Sequence, residues 1–208
     1  MDENGTEEAD ETPRDEVSGI WHPLLSYSKG ADRFAEWTGA IAMWAVIPTV
    51  AIGFVNTILR YVGQATNTKL TNNTIIELQW YLFGVIFLVG FAYILKHQIN
   101  VRVDFWYTNQ SQRRRAKIDF VGNWIGLLPF SLIGLWVSVP QAVNSWQVWE
   151  QSPDADGLPR APIKALLAFS FLLLLVQAIS EQIKVGAVLA GHPDFVELEE
   201  RDAPVRIE

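Results

Sequence analysis

The chain has 208 residues, of which 50% are hydrophobic, and a formal net charge of −7. That length accommodates one membrane domain with short tails. The sequence contains no cysteine, which excludes disulfides, thiolate metal sites and cysteine nucleophiles, and the acidic balance gives no reason to expect a nucleic-acid partner.

The chain begins with an acidic, polar segment at residues 1–30, where acidic residues crowd the first 16 positions. This composition is the opposite of the positively charged region that opens a secretory signal peptide, so no cleaved signal is expected. Because the segment has almost nothing apolar to bury, we predict that residues 1–30 form a disordered cytoplasmic tail.

Four apolar segments follow, each long enough to cross a hydrocarbon core of ~30 Å as a helix. The predicted spans cover residues 37–59, 75–95, 120–143 and 163–188. In lipid, only helices and closed barrels keep every backbone hydrogen bond internal. The sequence therefore predicts an all-α integral membrane protein, with four antiparallel transmembrane helices at residues 31–190 and a short acidic cytoplasmic tail at residues 191–208.

The distribution of Lys and Arg predicts the orientation of these spans. The connection between the second and third spans is the most basic one, with Lys96, Arg102, Arg113, Arg114, Arg115 and Lys117. The first connection holds only Arg60 and Lys69, and the third only Arg160. Both termini and the middle connection are therefore predicted to face the cytoplasm.

The triplet Arg113, Arg114 and Arg115 has two interpretations. Each arginine would contribute on the order of 1 kcal/mol to a contact with anionic lipid head groups. Alternatively, the triplet only fixes the topology. Both interpretations remain open at the level of sequence.

Polar residues at membrane depth are costly and mark candidate contacts with other subunits. Arg60 ends the first span and Glu77 begins the second, so both are expected near the periplasmic surface. They are predicted to pair with each other or with a partner subunit, unless both extend into water. Asn56 is a candidate for a hydrogen bond between helices, and Gly122 and Gly126 would permit close helix contact.

Near the end of the fourth span, Gln177 is a second candidate for an interhelical hydrogen bond, and Glu181 and Lys184 are predicted to form a local pair. The sequence shows no haem-ligand pair, metal-binding spacing, phosphate loop or nucleophile elbow. It also lacks the paired mid-membrane acids and internal repeats of a carrier. We therefore predict no catalytic residue, no metal and no cofactor, and interpret the chain as a subunit of a larger assembly.

The segment before the fourth span, Ser152 to Pro162, combines three prolines with charged side chains, Asp154, Asp156 and Arg160. Proline restricts the backbone, so this loop is expected to hold a defined shape. It is predicted to be either a docking surface for partner proteins or a stiff connector that aims the fourth span.

The order of these features resembles the small membrane subunit of TRAP transporters, the DctQ-like family. The resemblance covers roughly Glu36 to Lys184. It is carried by Glu36-Trp37-Thr38-Gly39 with Phe54, Asn56, Arg60 and Tyr61; by Glu77, Tyr81-Leu82-Phe83-Gly84, His97 and Val101-Arg102-Val103-Asp104; and by Ser152-Pro153-Asp154, Leu158-Pro159-Arg160 and Pro162-Ile163-Lys164.

This resemblance implies a non-enzymatic subunit of the bacterial inner membrane. Its expected partners are a large permease subunit, which it braces, and a periplasmic binding protein that delivers an organic acid anion. Import is expected to use a sodium gradient rather than ATP. The alternative is a structural accessory subunit of a respiratory or photosynthetic complex built on the same four-helix scaffold, because function belongs to sites rather than to folds.

Overall fold

A computed structural model describes residues 21–99 and 110–191. The helices are α1 (Trp21–Ala65), α2 (Asn73–Lys96), α3 (Gln112–Gly122), α4 (Leu128–Gln147) and α5 (Ala161–Ala190). A π-helical turn at Asn123–Leu127 joins α3 to α4, so Arg113–Gln147 is one continuous helix with an apolar stretch long enough to cross a membrane. Within the described ranges, four helices are long and apolar enough to cross a membrane. The predicted all-α fold with four spans is confirmed, and each predicted span lies inside one of these helices.

The first helix begins earlier than its apolar composition indicates. It starts at Trp21, so residues 21–30, which composition assigned to the tail, are helical. The reason is tertiary contact: Ser28 is buried and its hydroxyl lies 2.8 Å from that of Ser180 on α5. The predictions for residues 1–20 and 192–208, and the resemblance at Val101 to Asp104, lie outside the described residues.

Contacts at both ends of the bundle show that the helices alternate in direction. At one end, Lys96 at the close of α2 places its Nζ 2.6 Å from the Oε1 of Glu36, in the first part of α1. At the other end, Glu77 near the start of α2 contacts Leu158, which precedes α5. The start of α1 and the end of α2 therefore lie at one end of the bundle, and the contact of Ser28 with Ser180 places the end of α5 there as well. The α1–α2 and α4–α5 connections lie at the other end.

Helix α5 is the central element, since it contacts α1, α2, α3 and α4. In its most apolar stretch 33% of the residues are buried, against only 6% for the continuous helix formed by α3 and α4. Large apolar side chains on that third span are exposed, namely Trp124, Ile125, Phe130, Ile133 and Trp136. This span therefore presents most of its apolar surface to its surroundings.

Close helix contacts occur at glycines other than the predicted pair. A Cβ atom at Gly39 would lie 2.2 Å from the ring of Tyr93, and one at Gly134 would lie 2.2 Å from the ring of Phe171. By contrast, a Cβ atom at Gly122 or Gly126 would meet no atom within 4 Å. The predicted close contact at Gly122 and Gly126 is therefore not made within the described part of this chain.

Candidate functional site

The connection between α4 and α5, residues 148–160, is held against α2 by the carboxylate of Glu77. We call this connection the α4–α5 loop. Glu77 accepts a hydrogen bond from the Ser152 hydroxyl through Oε1, and another from the Leu158 backbone N–H at 2.5 Å through Oε2. The Tyr81 hydroxyl donates to the Pro159 carbonyl at 3.0 Å. One side chain of α2 thus fixes both sides of the loop.

The first turn of α2 also contacts the tip of the loop. The Asn73 side-chain amide donates to the Ala155 carbonyl at 2.9 Å, and the Thr74 hydroxyl donates to the Asp156 carbonyl at 2.5 Å. Because the loop lies at the start of α2, its backbone carbonyls obtain donors that a free loop would find only in water.

The two ends of the loop are joined through Glu150. Its carboxylate accepts hydrogen bonds from the Lys164 ammonium and from the Ser145 hydroxyl, and its backbone carbonyl accepts from the Arg160 N–H at 2.8 Å. The hydrogen bond from Lys164 and then that from Ser145 hold the pKa of Glu150 below its ordinary value. Glu150 therefore stays ionised and keeps the base of the loop closed at neutral pH.

The charged side chains of the loop remain on its surface. Asp154, Asp156 and Arg160 are all exposed. The Gly157 N–H donates to the Asp154 carbonyl at 3.1 Å, and Asp156 has a φ of 60°, a conformation that Asp tolerates better than most residues. Among the described residues, these three side chains form no hydrogen bond or ion pair with another side chain. The three charged side chains therefore remain accessible for other contacts, and the Arg160 guanidinium interacts with Glu77 and Glu150 only through space.

Arg60 and Asn56 are the other candidate contact residues near this end of the bundle, and their surroundings differ. Arg60 is exposed and forms no ion pair with Glu77; its guanidinium carbon lies 5.9 Å from the centroid of the Tyr61 ring. Asn56 is half-buried, and its Oδ1 has no hydrogen-bond partner within the described chain. Glu77 is therefore committed to the loop, whereas Arg60 is available at the surface.

The basic triplet lies at the opposite end, in the first turns of α3. Arg113 and Arg114 are exposed. Arg115 is half-buried, and its Nε donates to the Gln110 carbonyl at 3.0 Å. The triplet therefore shares its end of the bundle with the start of α1 and the end of α5.

A buried ionic cluster near that same end was only partly predicted. The Nζ of Lys184 lies 2.9 Å from Asp32 and 3.0 Å from Glu181, and the Gln177 amide donates to the same two carboxylates. The predicted pair of Glu181 with Lys184 and the interhelical bond of Gln177 are thus formed. Sequence reasoning missed Asp32, although Ser28 and Asp32 lie four residues apart and so share one helix face.

A comparison with known protein families gives one match that covers most of this structure. The family model described as "Tripartite ATP-independent periplasmic transporters, DctQ component" matches residues 31–185. The matched region contains the first three predicted spans, nearly all of the fourth, the α4–α5 loop and the buried ionic cluster. No curated protein and no solved structure matches the chain.

Proposed function

Because this chain belongs to the DctQ family of tripartite ATP-independent periplasmic transporter components, we propose that it assembles with a large permease subunit and braces it in the bacterial inner membrane. A periplasmic solute-binding protein delivers an organic acid anion, and a sodium gradient drives its import. In this proposal the chain has no catalytic role. The observation that carries it is the family match, which extends from before the first span into the last turn of the fourth.

The distribution of apolar surface supports a role in assembly. The third span buries little of itself inside this chain, and Trp124, Ile125 and Trp136 are between 57% and 77% exposed. Helix α5, by contrast, is packed on several sides. A packed central helix beside a span that buries so little of itself suits a subunit that packs against another membrane protein. The family match favours transport over an accessory role in a respiratory or photosynthetic complex.

We further propose that the α4–α5 loop is the periplasmic docking surface of this subunit. Asp154, Asp156 and Arg160 are its exposed charges, and Arg60 lies at the same end of the bundle. Glu77 positions the loop from within the chain, and the Oδ1 of Asn56, which has no partner within the described chain, is a further candidate contact with a partner subunit. Preorganised loops lose little conformational entropy on binding, which supports docking over a purely connecting role.

The proposed orientation places both termini and the triplet Arg113, Arg114 and Arg115 on the cytoplasmic side, the triplet within reach of anionic head groups. A reporter enzyme that is active only in the periplasm should be silent when fused after Glu208. The same reporter inserted in the first connection, after Lys69, should be active and serves as the control. Activity of the fusion at Glu208 would reverse the topology.

The assembly itself is tested by purifying the tagged chain from its native membranes and identifying the proteins that accompany it. A large permease subunit is the expected companion.

A further inference from the structure

A groove of about 500 Å³ runs between α2 and α5, next to the α4–α5 loop. This volume lies within the range of ~300–1,000 Å³ that is common for ligand sites in proteins. Trp80 and Phe87 of α2 form its apolar wall and are 74% and 56% exposed. The groove is therefore open to the surroundings of the helices, which for this part of the chain is the bilayer.

The groove changes from charged to apolar along its length. Its mouth is formed by loop residues, including Asp154 and Arg160, and its apolar lining continues along α2 as far as Leu88. From Ile76 to Leu88 an α-helix rises ~18 Å, more than half of a hydrocarbon core of ~30 Å. A charged mouth at the membrane interface, above an apolar channel of this depth, matches the charged head group and the apolar acyl chain of a phospholipid.

Four ionised side chains lie at the mouth of the groove, and only two of them have a hydrogen-bond or ion-pair partner. Glu77 accepts hydrogen bonds from Ser152 and Leu158, and the Lys164 ammonium is bound to Glu150. The side chains of Arg160 and Asp154 form no hydrogen bond or ion pair with another described side chain. The guanidinium of Arg160 interacts electrostatically with Glu77 and Glu150 but contacts neither carboxylate directly. It therefore keeps its hydrogen-bond donors for a ligand, and the Asp154 carboxylate keeps its acceptors.

We propose that this groove holds one zwitterionic phospholipid with a phosphoethanolamine head group. The guanidinium of Arg160 binds the phosphate, since its planar fork matches phosphate oxygens in a bidentate manner. The lipid's ammonium lies next to Asp154, and an acyl chain follows Trp80 and Phe87 towards Leu88. Asp154 and Glu77, which both line the groove, disfavour head groups with net negative charge, so the mouth selects the zwitterion. The lipid site depends on the groove alone and not on assembly with a permease.

The test is to reconstitute the purified chain into nanodiscs of mixed phosphatidylethanolamine and phosphatidylglycerol, transfer it into mild detergent, and quantify the retained lipid by mass spectrometry. The wild type should retain phosphatidylethanolamine in preference to phosphatidylglycerol. Arg160→Gln should lower its retention by about tenfold or more, as expected for the loss of a charge-assisted contact. Arg60→Gln removes another exposed arginine from the same end of the bundle and should retain lipid like the wild type.

Several results would overturn the lipid site. These are a preference for phosphatidylglycerol, retention that is unchanged in Arg160→Gln, or crosslinking of a photoreactive residue at Phe87 to protein rather than lipid in the assembled complex. The control is thermal unfolding. If Arg160→Gln unfolds at the same midpoint temperature as the wild type, its loss of bound lipid does not reflect misfolding. If the chain retains the lipid but recovers no permease, the proposed assembly fails and the lipid site stands.

Discussion

Replacing Lys184 with leucine is expected to destabilise the bundle by about 3–5 kcal/mol, because it leaves two carboxylates buried without their counter-charge. The side chains of Lys184, Glu181 and Asp32 are 9%, 8% and 16% exposed, so water can replace little of the lost interaction. Gln177 donates to both carboxylates, but a neutral amide does not balance their charge.

Unfolding of the purified protein in detergent, followed by circular dichroism across a denaturant series, measures this effect. Lys29→Leu removes an exposed lysine from the same part of α1 and should change the free energy of unfolding by less than about 0.5 kcal/mol. The triple variant Lys184→Leu, Glu181→Leu and Asp32→Leu removes every charge of the cluster and should recover most of the loss. A Lys184→Leu protein as stable as Lys29→Leu would show that the cluster contributes nothing.

Neutralising the tip of the α4–α5 loop should weaken partner docking without affecting the fold. Asp154→Asn with Asp156→Asn removes two exposed charges and keeps side chains of the same size, and Asn also tolerates the φ of 60° at position 156. Exposed interface charges mainly govern the rate of association. Recovery of the assembled complex, and solute uptake, should therefore fall by roughly fivefold to tenfold.

Quantitative immunoblots of the membrane fraction provide the control, since the amount of inserted subunit should remain constant. Glu77→Gln serves as a comparison variant that loosens the loop while leaving its exposed charges in place. If the double variant assembles and transports like the wild type while Glu77→Gln does not, the loop is a stiff connector and the docking proposal is wrong.

Hydropathy alone was sufficient to predict the four spans, because the cost of unsatisfied backbone groups in lipid leaves few alternatives to long apolar helices. It failed where polar residues are stabilised by tertiary contact. Ser28 lies in the stretch that composition assigned to the tail, and Asp32 lies between that stretch and the first predicted span, yet both bind α5 residues about 150 positions later in the chain. No local pattern shows which side chains meet across such a distance.

The candidate site was predictable to a similar extent. Prolines and charges indicated a shaped, exposed loop at Asp154 to Arg160. The role of Glu77 was not predictable, because its partner Leu158 lies 81 residues away in sequence. The sequence instead suggested a pair of Glu77 with Arg60 or with a partner subunit, because the two residues end and begin consecutive spans at the same membrane edge. Close glycine contacts were also misplaced, since they depend on which aromatic ring faces each glycine: Tyr93 covers Gly39 and Phe171 covers Gly134.

The identity of the proteins that co-purify with this chain decides whether it is a transporter subunit. The full-length chain, tagged at its carboxy terminus, is extracted from native membranes in a mild detergent, and its companions are identified by mass spectrometry against an untagged control strain. Membership of the DctQ family predicts a large multi-span permease in near-stoichiometric amount, with a periplasmic binding protein enriched when solute is added. Recovery of respiratory or photosynthetic subunits in that amount, with no permease, would show that the chain belongs to a different membrane assembly.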